Sequence, residues 1–146
     1  MRSLTLNLLK LLFKLQFPTI QLVTTRQLAQ WLDDAAAPQP LVLDARTVAE
    51  YEVSHLKTAQ RIDPNLPETE ITAMPKDTPI VVYCSVGYRS AKIAQQIQQM
   101  GFSRVFNLSG GIFQWANEGK SIYKNGQTTQ LVHPYNAKWG KLLKVK

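Results

Sequence analysis

The stretch PIVVYCSVGYRSAKIAQQIQQMG, residues 79–101, contains the pattern that decides the fold. Residues 79–84 form a continuous apolar and β-branched run, which is typical of a strand buried in a parallel sheet. Residues 88–100 have a helical pattern, and Gly101 is a favourable residue just past the end of a helix. A strand, a tight turn and a helix therefore follow one another. Cys84, the single cysteine of the chain, stands where the predicted strand ends.

Strand-like and helix-like segments alternate along the rest of the chain. The other predicted strands lie at 19–23, 41–46, within 58–63 and at 104–108. The other predicted helices of this region lie at 24–34, 47–56 and 109–119, with Thr24 or Thr25 as one N-cap and Thr47 and Glu50 in capping-box spacing. This alternation predicts an α/β fold whose central, mostly parallel, five-stranded sheet is covered by helices on both faces.

Composition and charge exclude several classes of protein. A length of 146 residues predicts one domain with a real core, and one cysteine excludes a disulfide framework or a multi-cysteine metal site. A lone cysteine fits a reducing compartment, so we expect a cytoplasmic protein. The net charge of +7 comes from the two ends, because all ten acidic residues lie between Asp33 and Glu118. The body is therefore not basic, which argues against binding of nucleic acid.

The first 18 residues predict an amphipathic helix that ends at Pro18. Five leucines share one face of this helix, namely Leu4, Leu8, Leu11, Leu12 and Leu15. A second face is polar and carries Ser3, Asn7, Lys10 and Lys14. The run is too short to span a membrane comfortably and lacks a signal-peptide cleavage site. Two interpretations are open: the leucine face packs on the domain or on a second copy, or it anchors the protein at a membrane interface.

The C-terminal residues 124–146 are basic and carry a few large apolar side chains, including Trp139, Leu142 and Leu143. One interpretation is that this extension packs on the body, against the N-terminal helix. The other is that both basic ends form a docking surface for a membrane or an acidic protein.

The residues that follow Cys84 predict a reactive thiol. The active-site loop would contain Ser85, Val86, Gly87, Tyr88, Arg89 and Ser90. Gly87 can take a backbone conformation forbidden to bulkier residues, so N–H groups of the loop and first helical turn can point at the sulfur. Such an array stabilises an anion, and Arg89 adds a permanent positive charge. A buried structural cysteine is the alternative, although a position inside the strand would suit that role better.

Three segments in the right order resemble rhodanese-type sulfurtransferases over about residues 19–123. The first is VVYCSVGYRS, residues 81–90, which resembles the family's active-site loop. Residues 41–63 resemble a second motif through Asp44, Arg46, Glu50, Tyr51, His55 and Ala59. Residues 107–123 resemble a third motif through Leu108, Gly110, Gly111, Trp115 and Gly119. Ser54 and Thr58 depart from the pattern, because the family usually has glycine at both positions.

The resemblance implies a rhodanese-like three-layer fold and a thiosulfate:cyanide type of sulfur transfer. The Cys84 thiolate would take the outer sulfur of an anionic donor such as thiosulfate and carry it as a persulfide to cyanide or a thiol. No metal or organic cofactor is implied. Arg89 would hold the donor, with Arg46 as a second candidate unless Asp44 or Glu50 occupies it. Asp44 and His55 are expected to be structural.

Other functions remain alternatives at this point. The same persulfide would serve a binding module that carries sulfur between proteins, with only incidental thiosulfate turnover. A related phosphatase is disfavoured, because such enzymes have one more residue between cysteine and arginine than the stretch from Cys84 to Arg89. Pairing of Cys84 with His55, as in a cysteine protease, is also disfavoured, and His133 has no assigned role. Tyr88 either covers the loop or faces solvent.

Overall fold

The computed structural model describes residues 2–65 and 71–144, and a parallel sheet forms its centre. The five strands are β1 Gln21–Val23, β2 Leu41–Asp44, β3 Gln60–Arg61, β4 Ile80–Tyr83 and β5 Val105–Leu108. Their order is β1-β5-β4-β2-β3, and each pair of neighbours is parallel. The predicted α/β fold with a five-stranded parallel sheet is confirmed. Residues 66–70, in the segment that precedes β4, lie outside the described residues.

Helices cover both faces of this sheet. They are α1 Arg2–Gln16, α2 Thr25–Asp33, α3 Val48–Val53, α4 Tyr88–Gln99, α5 Gly111–Asn117 and α6 Ala137–Gly140. Thr24 caps α2, and Thr47 caps α3 through a capping box with Glu50, as the spacing predicted. Gly101 has a φ of 102° just past α4, which confirms its predicted role at the helix end.

Strand β4 divides the core into two layers. All four of its residues are fully buried, and successive side chains of a strand point to opposite faces. Val81 and Tyr83 belong to the cluster that contains residues of α2 and α5, whereas Ile80 and Val82 belong to the cluster packed on α4. A strand buried on both faces must be apolar at every position, which is why this run is continuous rather than alternating.

The pairing of the strands positions the site. Asp44 of β2 lies opposite Tyr83 of β4, and Val82 of β4 lies opposite Asn107 of β5. Because these strands are parallel and in step, their carboxyl ends meet at one edge of the sheet. Cys84 follows β4 at that edge, which is where open α/β sheets hold their ligands.

Helix α1 packs on the domain, but not through the face that the leucine pattern predicted. Leu6 is buried in the core cluster against which Leu9 and Phe13 also pack, and Phe17, just after the helix, is buried in the cluster on the other face of the sheet. The leucine face, which one interpretation placed against the domain, is instead exposed, with 47–74% exposure for Leu4, Leu8, Leu11, Leu12 and Leu15. Both sets follow the spacing of three and four residues that keeps side chains on one side of a helix. Among the described helices, none has the length and apolar character needed to cross a membrane.

The C-terminal extension is folded and packs on the body. An antiparallel hairpin at its start, formed by β6 Ile122–Lys124 and β7 Gln127–Thr129, was not predicted. Tyr123 of β6 pairs with His55 through hydrogen bonds of both backbone groups. Farther on, Leu142 and Leu143 are buried in the core. The Asn117 side chain fixes this end, since it donates to Leu142 O at 2.8 Å and accepts from Lys144 N at 2.6 Å.

Candidate active site

The Cys84 sulfur is surrounded by hydrogen-bond donors from the turn that follows it. Gly87 N lies 3.2 Å and Ser90 N 3.4 Å from Sγ. The Ser90 hydroxyl lies 3.3 Å from Sγ, but it also lies 2.6 Å from Asn107 Oδ1. A hydroxyl has one proton, so the shorter contact to Asn107 takes it while the sulfur is neutral. The two N–H groups can stabilise an anionic sulfur. The Ser90 hydroxyl becomes a third donor when its proton turns from Asn107 to the sulfur.

The loop takes this shape because of two residues. Gly87 has a φ of 119°, which L side chains rarely adopt, and it places its N–H toward Cys84. Asn107, a buried polar residue of β5, accepts from the Ser90 hydroxyl and donates from Nδ2 to Gly87 O at 3.0 Å. Asn107 therefore fixes both ends of the array of donors. Sequence reasoning missed it, although a polar residue inside the apolar run VFNL was the available signal.

Arg89 lies beside the loop and is paired with Glu50. Its Nη1 and Nη2 donate to the two Glu50 carboxylate oxygens at 2.8 and 2.9 Å, and Nη2 also donates to Ser85 Oγ at 2.9 Å. Burial alone would raise the pKa of Glu50, but the hydrogen bonds and charge of Arg89, with hydrogen bonds from Thr47, lower it to about 2. Burial would lower the pKa of Arg89, but Glu50 and the nearby Cys84 raise it. Both groups are therefore charged at neutral pH.

Arg46, the second candidate for donor binding, lies in a different environment. Its side chain is fully buried and pairs with Asp44, with 2.7 Å between Nη2 and Oδ2. Nη2 also donates to Ser54 O at 2.6 Å, and Tyr83 Oη donates to Asp44 Oδ2 at 2.6 Å. Burial would lower the pKa of Arg46, but Asp44 raises it. This geometry supports a structural role for Arg46, which the sequence left open, with Asp44 rather than Glu50 as its partner.

The other residues of the second motif support the surrounding backbone. The His55 ring stacks on Tyr51 at 4.0 Å between centroids, and Nδ1 lies 3.1 Å from Tyr51 O. Of the described residues, those that hydrogen-bond to Cys84 Sγ are Gly87 and Ser90, so His55 is not brought to the sulfur. Thr58, which replaces a family glycine, has a φ of 63°, the left-handed region that favours glycine.

The start of α5 packs directly on the backbone of the cysteine loop. Ile112 N donates to Cys84 O at 2.9 Å, and Phe113 N donates to Ser85 O at 3.0 Å. Gly111 has a φ of 61°, and a Cβ placed on it would lie only 2.4 Å from Ser85 O and 2.6 Å from Cys84 O. The glycine of the third motif is therefore required by close backbone approach.

A cavity of about 110 Å³ lies over the sulfur. It is lined by Cys84, Ser85, Val86, Tyr88, Arg89, Tyr135 and Trp139. The last two belong to the C-terminal extension, and no sequence signal linked them to the cysteine. Tyr88 lines this cavity and also contacts Phe13 of α1 and Phe17 just after it, with 5.6 and 6.0 Å between ring centroids. Among the described residues, no group of three or more His, Cys, Asp or Glu side chains could hold a metal ion.

Comparison with known proteins agrees with this geometry. A family model described as the rhodanese-like domain matches residues 24–118. A protein named sulfurtransferase from Allochromatium vinosum is 34% identical over 100 residues, which cover 68% of this chain and 92% of that protein. The probable adenylyltransferase/sulfurtransferase MoeZ of Mycobacterium tuberculosis is 33% identical over 98 residues, which cover 66% of this chain. The match spans only 24% of MoeZ itself.

A solved structure with the same fold is that of the BH2092 protein of Bacillus halodurans. It is 25% identical to this chain with a TM-score of 0.70, and the match covers 84% of this chain and 89% of that one. The family model spans more than half of the chain and includes Cys84, the loop and the glycine pair. This chain belongs to the rhodanese-like domain family.

Proposed function

We propose that this protein is a sulfurtransferase that moves a sulfane sulfur from a small anionic donor, such as thiosulfate, to a thiophilic acceptor. The observation that carries the proposal is the convergence of Gly87 N, Ser90 N and the Ser90 hydroxyl on the sulfur of Cys84. Relatives that are named sulfurtransferases support the same class of chemistry.

The reaction consists of two displacements at sulfur. The Cys84 thiolate attacks the outer sulfur of thiosulfate, the S–S bond of the donor breaks, and sulfite leaves with the electron pair. Cys84 then holds a persulfide anion, which the same N–H groups stabilise. Cyanide or a thiolate attacks the terminal sulfur, the cysteine–sulfur bond breaks, and the thiolate is restored. No external oxidant or reductant enters this balance.

Intact mass spectrometry tests this proposal directly. Because the chain has one cysteine, a sulfur added to a thiol can be only on Cys84. After incubation with thiosulfate, we expect a gain of one sulfur atom that cyanide removes. A mass unchanged by thiosulfate, by mercaptopyruvate and by other sulfur donors would contradict the proposal.

Arg89→Ala should raise the apparent KM for thiosulfate about tenfold or more, because a charge-assisted hydrogen bond to the donor is lost. The apparent KM for cyanide should change much less. The hydrogen bonds of Arg89 to Glu50 and Ser85 use three of its five N–H groups, so within the described chain two remain for a donor. Steady-state kinetics with each substrate varied in turn measures the effect.

The matched control for this variant removes the partner carboxylate as well. Arg89→Ala leaves Glu50 buried without its cation, which by itself could distort the loop. The double variant Arg89→Ala, Glu50→Gln removes that charge. If Arg89 binds the donor, the double variant keeps the raised thiosulfate KM. An unchanged donor KM in the single variant, or its recovery in the double variant, would remove Arg89 from the donor site.

We propose further that the exposed leucine face of α1 lies on an anionic membrane surface, at the cytoplasmic side. The face presents five leucines, while Leu6 and Phe13 on another side of the helix hold it to the domain. The same helix carries Lys10 and Lys14 on its polar side, and α1 contains no acidic residue. A second copy packed on this face would bring lysines together without carboxylates, whereas anionic lipid headgroups complement them.

Full-length protein should therefore bind vesicles that contain phosphatidylglycerol more tightly than vesicles of phosphatidylcholine alone. Leu8→Gln with Leu12→Gln should weaken binding about tenfold or more, because two apolar side chains no longer enter the interface. Leu131→Gln, at a leucine that is 58% exposed elsewhere, is the control and should bind like the unmodified chain. Absence of vesicle binding, or a dimer that the double variant disrupts, would overturn this placement.

A further inference from the structure

Two aromatic side chains from the C-terminal extension lie over the catalytic cysteine. Cys84 is only 1% exposed, and Tyr135 and Trp139 line its cavity together with the cysteine loop. The Tyr135 ring stacks on the Arg89 guanidinium, with 4.3 Å between Cζ and the ring centroid. The family match ends at residue 118, so these two aromatics belong to a part of the chain that the match does not describe.

Hydrogen bonds within a compact turn fix both aromatic residues. Tyr135 N donates to His133 Nδ1 at 2.9 Å, which gives His133 a structural role. Trp139 N donates to the side chain of Asn136, the N-cap of α6, at 2.8 Å. A Cβ on Gly140 would lie 2.8 Å from Pro134 Cβ, so the two sides of the turn are in close contact. The turn therefore holds the aromatics as a unit.

The segment is anchored to the domain at both of its ends. Before the turn, Ser54 Oγ donates to Leu131 O at 2.6 Å, and Val132 is buried. After the turn, Leu142 and Leu143 are buried in the core. Fixed ends keep the aromatic turn above the cysteine loop, so it is a wall of the cavity rather than a free tail.

We infer that Tyr135 and Trp139 set the upper size of the reactants that reach Cys84. The cavity of about 110 Å³ is well below the several hundred Å³ of pockets for drug-sized ligands. Inorganic sulfur anions and cyanide are of the size class that such a space admits, whereas a tripeptide thiol or a protein thiol requires the aromatic turn to move. For turnover this inference rests on the proposed function, and it favours small molecules over the protein-to-protein carrier that the sequence left as an alternative.

Alkylation of Cys84 by reagents of different size tests the inference without any sulfur donor. Iodoacetamide is the small probe and a pyrenyl maleimide is the bulky one, and intact mass follows each reaction at the single cysteine. If the aromatic turn is open about a tenth of the time or less, its removal raises the bulky rate about tenfold or more. The double variant Tyr135→Ala, Trp139→Ala should therefore raise the rate of alkylation by the pyrenyl maleimide about tenfold or more. It should change the rate with iodoacetamide less than about threefold.

Two controls separate the wall from general loosening of the protein. Tyr135→Phe keeps the ring, and Leu131→Ala removes an exposed side chain of the same segment, so both should keep the unmodified ratio of rates. The single variant Tyr135→Ala, at a side chain that is 45% exposed, should raise the bulky rate even if the double variant unfolds. Equal acceleration of both reagents, or of neither, would overturn the inference.

Measurements of turnover test the same inference independently. In the double variant, kcat/KM for glutathione as acceptor should rise relative to that for cyanide. Size-dependent alkylation with no sulfur transfer from any donor would mean that the wall exists and the proposed function fails. Sulfur transfer with size-independent alkylation would mean that the proposed function holds and that the aromatic side chains do not limit access to Cys84.

Discussion

Cys84→Ser is expected to abolish sulfur transfer and to remove the mass gain caused by thiosulfate. A serine hydroxyl is a far weaker nucleophile than a thiolate and cannot hold the transferred sulfur as a persulfide. Loss of a covalent nucleophile removes the whole pathway, so we expect turnover to fall by ~10³-fold or more. Thiocyanate formation measures the turnover, and intact mass measures the persulfide.

The fold should survive this substitution. The new hydroxyl can occupy the position of the thiol and accept from Gly87 N and Ser90 N, which now approach the sulfur. The melting temperature should therefore change by only a few degrees, which is about 1 kcal/mol for a chain of this size. Retention of full activity by the folded serine variant would refute the assignment of Cys84.

Gly111→Ala is expected to damage both stability and activity. Its Cβ would lie 2.4 Å from Ser85 O, so the cysteine loop or α5 must shift. Overpacking costs about 1–3 kcal/mol and the left-handed conformation of an alanine about 1–2 kcal/mol. The free energy of unfolding should therefore fall by about 2–5 kcal/mol. The shift also moves the donors around Cys84, and misplacement by about 1 Å can lower kcat/KM about 100-fold. Urea denaturation and steady-state kinetics measure the two effects.

Gly119→Ala is the matched control for that variant. Gly119 also has a left-handed backbone, with a φ of 80°, but a Cβ placed there meets no atom within 4 Å. Its substitution should therefore cost only the conformational part, about 1–2 kcal/mol, and leave kcat/KM nearly unchanged. Equal losses of activity in both variants would show that close approach of α5 to the cysteine loop is unimportant.

Much of the fold could be predicted because the signals are local. The buried run at 80–83, the helical pattern after Gly87 and the capping residues Thr24 and Thr47 each depend on neighbours a few positions away. The hairpin of β6 and β7 was missed although Asn125–Gly126, with φ values of 53° and 79°, is a typical hairpin turn. Its short strands had too little alternation to draw attention to the turn.

The candidate site was predictable to a smaller extent. The donors around Cys84 come from its own turn, so the strand–glycine–helix pattern was enough to expect them. The pairing of Arg89 with Glu50 joins positions 39 residues apart, and a charged residue has several eligible partners in such a chain. Asn107 was visible as a polar residue in an apolar strand, but its contacts with Ser90 and Gly87 depend on the register between β4 and β5.

The sequence alone determined the succession of strands and helices between residues 19 and 119, the parallel sheet and the cysteine at its edge, because periodicity and turn residues act over short distances. It could not determine which apolar stripe of α1 packs on the domain, since Leu6 with Phe13 and Leu8 with Leu15 have equally helical spacing. Nor could it place Tyr135 over Arg89. Such contacts depend on how whole elements fit together, and only the tertiary structure decides which surfaces meet.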